Sequence, residues 1–469
     1  MKVLISTILL SLCLTLSATD IEVTEVFFDK NNGTVNFSVN WNNAWKNSRN
    51  HDAAWVFIKF SQADGSYVHG KLAANSHNLV ADDSGPQGKI VMTDDRVGVF
   101  LELSGQHRGN VNWDVKLKLD KGSLAQVGSG MKAEVYAIEM VYIPAGAYIT
   151  GDPDPAAMAF NAFYQSDAGG QPKGQYKINT EDQVIEIGPK DGALYYNAGR
   201  YPIYTGDQKG PVPATFPKGV QPFYIMKYET TQGLYADFLN TVSADLAAKL
   251  TPHETPKYAE GRGSIKYESG SYATAYPERP CNYITWDDGM ALADWAGLRP
   301  MTELEFTKAA RGPGKALSHE FPWNTDNKDD LGRYVDLDDN LKLKEGLDES
   351  KINDANRHQY GASYFWVMDL AGSLWEKCVS IGHPIGRNFK GSHGDGLISN
   401  SGTATNADWP KGINEEGGYG YRGGGYYQHT MKVSEFNPHS PIAYRRYGAW
   451  SGGKRSIAYS QRYVRTAPQ

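Results

Sequence analysis

Residues Arg279–Gly312 read RPCNYITWDDGMALADWAGLRPMTELEFTKAARG, and helix punctuation in this stretch decides how the chain is built. Thr285-Trp-Asp-Asp288 opens one helix, which stops at Gly297; Thr302-Glu-Leu-Glu305 opens the next, which stops at Gly312-Pro313. In both starts a threonine precedes an acid by one turn. Its hydroxyl can cap a backbone N–H while the carboxylate returns to the N–H of the cap. Both stops are glycines, which take the left-handed conformation that ends helices. Upstream, Thr231–Val242 sets Leu234, Phe238 and Leu239 at helical spacing. Past Arg311 that spacing disappears, and Gly, Asn, Asp, Tyr and Trp take over with few long apolar runs. A domain so composed is an α+β unit of low regular-structure content, with loops fixed by aromatic packing, hydrogen bonds or ions.

The N-terminal region has another rhythm. Val35, Phe37, Val39 and Trp41 alternate with polar residues, as do Val111, Trp113, Val115, Leu117 and Leu119. Period two describes strands with one buried face, and Asn32-Gly33 reads as a hairpin turn before the first run. The pattern predicts an all-β sandwich over 19–138. His51, His69, His77 and His107 are scattered there without ligand spacing. At Glu139 the character changes. MVYIPAGAYITGD (Met140–Asp152) is a strand pair pinched at Pro144 and Gly146, and 152–219 reads as a loop-rich insertion. The second domain is therefore drawn over 139–469.

A chain of 469 residues with net charge −6 gives no reason to expect nucleic-acid or anionic-membrane binding. Its start, MKVLISTILLSLCLTLSATD, has the form of a signal peptide over 1–18, cleaved after Ala18. Leu12 before Cys13 is wrong for a lipoprotein. The expected product is exported, periplasmic or extracellular at the cell surface, without a membrane span. Cys281 and Cys378 then remain, as a disulfide or as two buried thiols.

Six motifs follow one another in order: MVYIPAGAYITGD, PFYIMKYETTQGLYADFLN (Pro222–Asn240), the Arg279–Gly312 stretch, VMDLAGSLWEKC (Val367–Cys378), YGYRGGGYY (Tyr419–Tyr427) and RYVRTAP (Arg462–Pro468). Together they resemble the sulfatase-modifying-factor domain of formylglycine-generating enzymes. The resemblance covers Glu139–Pro468 and implies a C-type-lectin-like fold of low regularity. The arrangement also resembles exported Bacteroidetes-type proteins that join an N-terminal β-domain to this one. The family's best-known reaction oxidises a substrate cysteine to formylglycine, using copper held by two cysteine thiolates after the glycine-rich segment. Those positions fall here on Gln428 and Val433. Soft Cu(I) needs thiolates or thioethers, and Met431 alone cannot replace a pair, so neither copper nor catalysis of this kind is expected. The His-x3-His-x-Glu iron set of other branches is absent; His383, His393, His429 and His439 are spread through loops.

The resemblance further implies a calcium site on Asp369, Gly372, Leu374 and Glu376, through the two carboxylates and the carbonyls of Gly372 and Leu374. Hard oxygen donors from one turn suit calcium; the same acids could simply cap loop amides. A second family site would draw on Asp336–Asn340 and is left unassigned. Tyrosine, arginine, glycine and serine dominate Tyr419–Arg465, a mixture that binding loops use. Arg422, Trp450, Arg455 and Tyr459 are the candidate ligand contacts, while Trp375 and Tyr421 read as core. The expectation is an exported, calcium-stabilised binding protein with a catalytically silent domain, recognising a glycan, a peptide or an envelope partner. A metal-dependent oxidase and a structural subunit of a surface layer or filament are the alternatives. Homo-oligomerisation is left open.

Overall fold

The computed structural model describes residues 20–62, 65–128, 130–154, 161–197, 202–335, 341–412, 417–425 and 441–468. The N-terminal alternation becomes strands β1 (Ile21–Asp29), β2 (Thr34–Lys46), β3 (Asp52–Ser61), β4 (Tyr67–His69), β5 (Asn78–Ala81), β6 (Gly88–Met92), β7 (Val99–Leu103) and β8 (His107–Lys118). An antiparallel sheet of order β1-β2-β8-β5 carries Val35, Phe37, Val39, Val111, Trp113 and Val115 on its buried face. These residues share one core with Ala54, Val56, Ile58 and Phe60 of β3 and Val99, Leu101 and Leu103 of β7.

β3 does not end the N-terminal unit. It pairs with β9 (Ala133–Ile143) from Asp52↔Val141 to Phe60↔Ala133, and β9 pairs in turn with β10 (Phe223–Met226). The result is an eight-stranded sheet of order β11-β15-β10-β9-β3-β7-β6, with β4 beside β3, β11 at Arg299–Pro300 and β15 at Tyr463–Thr466. The division drawn at 138/139 therefore cuts through the middle of β9, and the two regions share one sheet. The physical reason lies in β3, where every residue from Asp52 to Phe60 is buried. Ala54, Val56 and Ile58 face the N-terminal core, while Ala53, Trp55 and Phe57 face helices of the later region.

Those helices stand where their caps place them. α1 (Gln232–Asn240) is capped by Thr231, whose side chain accepts from Leu234 N. α2 (Trp286–Trp295) and α3 (Glu303–Arg311) each begin with a complete capping box, Thr285 with Asp288 and Thr302 with Glu305. α3 ends at Gly312 with φ of 73°. Phe57 meets Trp295 edge to face at 5.0 Å, and Trp295 meets Phe238 of α1 at 5.5 Å. Trp55 Nε1 donates to Ala296 O at 2.7 Å, and Lys59, buried, donates to Trp295 O at 2.7 Å and Gly396 O at 2.6 Å. At the helix end Gly297 has φ of +68°, and a Cβ there would lie 2.5 Å from Val97. The stop signal and the close approach of the N-terminal region thus require the same glycine. Arg465 of β15 closes the junction by pairing with Asp95 at 2.5 Å.

Candidate functional site

The turn Asp369–Leu374 leads into β12 (Trp375–Val379), which pairs antiparallel with β13 (Tyr419–Arg422) and parallel with β14 (Tyr459–Ser460). Glycine brings the chains together: Gly372 N donates to the carbonyls of Gly423 and Gly424 at 3.2 and 3.1 Å. Gly423 has φ of +87°, and a Cβ there would lie 2.5 Å from Leu370 O. The glycine-rich segment is therefore a packed strand end against this turn, and Gly417–Gly425 is its described part. Gln428, Met431, Val433, His429 and His439 lie outside the described residues, as do Asp336–Asn340 and the segment 1–18 expected to be a signal peptide.

Both carboxylates of the expected calcium set have arginine partners. Glu376 is fully buried and accepts Arg462 Nε and Nη2, each at 2.7 Å. The same guanidinium donates to the carbonyls of Met226, Lys227 and Asp369 at 3.1 to 3.3 Å, tying β10, the turn and β12 together. Asp369 pairs with Arg333 at 3.1 Å, and Arg333 also reaches Glu349 at 3.2 Å. Glu229, three residues past β10, accepts Leu374 N at 3.1 Å and so holds the turn. Burial pushes the carboxyls of Asp369 and Glu376 up, against the pull of Arg333 and Arg462 respectively. Neither Arg462 nor Glu229 was assigned a role from sequence, although both stand inside the quoted motifs.

In donor chemistry, two carboxylates and two carbonyls are the hard oxygens that calcium takes. Gly372 and Leu374 are buried, and neither carbonyl accepts a hydrogen bond from the described residues. Buried carbonyls without donors are uncommon, and a cation is one partner that satisfies them. A carboxylate held by one guanidinium keeps further lone pairs. Among the described residues no three of His, Cys, Asp or Glu converge on one point, so such an ion would depend on these carbonyls.

The candidate ligand contacts divide. Arg422 lies in the core: its guanidinium pairs with Glu303 at 3.2 Å, donates to Ile442 O at 2.6 Å and lies over the Phe306 ring. Arg445 joins the same carboxylate at 3.2 Å and stacks on Phe163 and Tyr196. Composition alone placed Arg422 on the surface, and the buried Glu303 partner explains its position instead. Arg455 is half-buried and committed to Asp288 at 3.1 Å and to carbonyls of Lys249, Leu250 and Tyr283. Trp450 and Tyr459 are half-buried, their rings 6.2 Å apart, and both pack on buried Tyr421, at 5.4 and 4.4 Å. Tyr447, Tyr204 and Trp375, also half-buried, extend the patch: Tyr447 lies 5.8 Å from Trp450 and 5.6 Å from Trp375.

Cys281 and Cys378 are free and buried, in different core clusters, and burial pushes both thiols up. The two are therefore buried thiols, as one of the two sequence readings had it.

The fold and site define a β-rich, helix-poor protein whose C-terminal half is locked by buried arginine–carboxylate pairs around a glycine-rich strand. Residues 131–448 match the model of the sulfatase-modifying factor enzyme 1-like domain, and the chain belongs to that family. The match begins just before β9. The chain is also similar to a formylglycine-generating enzyme of Thermomonospora curvata, 26% identical over 111 residues, which is 24% of this chain and 36% of that protein. The chain thus spans about a third of the length of this curated relative. Among the described residues no helix is long and apolar enough to cross a membrane.

Proposed function

We propose that this protein is an exported binding protein whose formylglycine-generating-enzyme-like domain is catalytically silent and binds a glycan through an aromatic patch. The carrying observation is the state of the cysteines. Gln428 and Val433 stand where the resemblance puts the copper thiolates, and Cys281 and Cys378 are buried in separate cores. Among the described residues no exposed thiolate pair is thereby offered to copper or to oxygen. The leader over 1–18 supports export to the periplasm or cell surface. The N-terminal strands form a β-sandwich-like layer, and the rest is a C-type-lectin-like unit.

The half-buried rings of Tyr204, Trp375, Tyr447, Trp450 and Tyr459 support the glycan reading. Rigid aromatic faces give a large contact area at small entropic cost, and the rings already hold one another in place. Calcium, held by Asp369 and Glu376 with the carbonyls of Gly372 and Leu374, would add a second cation to carboxylates already paired with Arg333 and Arg462 and stiffen the turn that carries Trp375. Fluorescence titration of the protein with a panel of soluble polysaccharides tests this. Saturable quenching, weakened about tenfold or more in Trp450→Ala as for an interface anchor, is the expected result. Binding of peptides or envelope proteins but of no polysaccharide would reassign the ligand, and oxidation of a cysteine peptide would remove the reading altogether.

A further inference from the structure

A cavity of about 610 Å³ opens beside the turn, on the side where Glu229 holds Leu374. Asp20, Glu229 and Glu278 all line it, with Tyr228, Tyr276 and the Arg333–Asp369 pair. The arginines on its wall already have partners, and two of these, Asp369 and Glu349, line the same cavity. Arg333 serves Asp369 and Glu349, and Arg279 donates to Arg262 O while its guanidinium lies 3.9 Å from the Tyr276 ring centroid. Arg262 has partners of its own, and Lys342 is exposed.

The three carboxylates are in a different condition. Glu229 is 2% exposed, and its Oε2 has no hydrogen-bond partner. Half-buried Asp20 and exposed Glu278 stand at the cavity's wetter side, and among the described residues no hydrogen bond or ion pair reaches their side chains, so Glu229 alone is a buried carboxylate with an unmet oxygen. Burial, then the Asp20 charge, pushes the Glu278 carboxyl up to about 7. A buried carboxylate with an unmet oxygen costs free energy until a positive donor reaches it. Acids spread over a cavity of this size, with no three converging on a point among the described residues, suit a donor with several N–H groups better than a bare metal ion.

We propose that this cavity binds a small organic cation, an ammonium or guanidinium compound held by Asp20, Glu229 and Glu278. Such a group brings several N–H donors, and its hydrogen bonds to carboxylates are charge-assisted.

Calorimetric titration of the full chain with agmatine, in the presence of a calcium chelator, tests the proposal. Saturable binding is expected, with glutarate, an anion of similar length, giving none. Glu278→Gln should weaken binding about tenfold or more, the scale of one charge-assisted hydrogen bond. Glu278 is exposed, so this variant should keep the wild-type melting temperature. Glu229→Gln, if it folds, should weaken binding further. No saturable heat, or agmatine binding unchanged in Glu278→Gln, would overturn the proposal. So would calcium displacing agmatine mole for mole, since that would assign these carboxylates to the metal.

Discussion

Replacing Asp369 by asparagine separates an ion site from an ordinary arginine–carboxylate lock. The side chain is 8% exposed and bound to Arg333, which also holds Glu349 at 3.2 Å. Arg333 therefore keeps a partner in Asp369→Asn, and the expected cost of the change itself is about 1–3 kcal/mol, that of a hydrogen bond to a charged group. Calcium binding the folded state alone should add about 2.7 kcal/mol at a hundredfold excess over the dissociation constant. In urea unfolding followed by tryptophan fluorescence, the wild type should thus differ between calcium and chelator by roughly that amount. In Asp369→Asn the difference should fall below about 1 kcal/mol, because one of two ligand charges is gone. Arg462→Met is the control. It strands buried Glu376 and should cost about 3–5 kcal/mol in chelator. A wild type with the same unfolding midpoint in calcium and in chelator would refute the ion site and leave Arg333 and Arg462 as the partners of these carboxylates.

Trp55→Ala should cost about 3–5 kcal/mol, as large core truncations do, and lower a single unfolding transition; an N-terminal region that melts separately would contradict the shared sheet. Incubation with copper and a cysteine-containing sulfatase peptide should leave the thiol intact, and an aldehyde product by mass spectrometry would be the contrary result. Glu102, although burial pushes its carboxyl up, is brought down to about 2 by His51, Lys89 and Tyr224. Its unfolded value is higher, so its stabilisation is present above pH of about 4.5 and is lost as pH falls toward about 2. Glu102→Gln should remove about 3 kcal/mol at neutral pH and flatten the acid limb between those values; an unchanged limb in acid melts would show that other carboxylates govern it.

Local signals were read from the chain with little loss. Both capping boxes and both glycine stops in Arg279–Gly312 stand where threonine, acid and glycine place them, because a cap is an interaction within one turn. The alternation of Val35, Phe37, Val39 and Trp41 likewise named a buried face correctly. What β9 pairs with was not legible: Asp52–Phe60 is buried on both faces, and a strand of that kind carries no alternation to say which region it serves. Nor could composition tell that Arg422 is a core residue and Trp450 a half-buried one, since both belong to the same Tyr-, Gly- and Arg-rich stretch. Glu376 finds Arg462 across 86 residues and Glu303 finds Arg445 across 142. Such pairs form only when the sheet and helices have already set the chain's path, so the tertiary structure alone decides which charges are buried, which are paired and which are left facing a cavity.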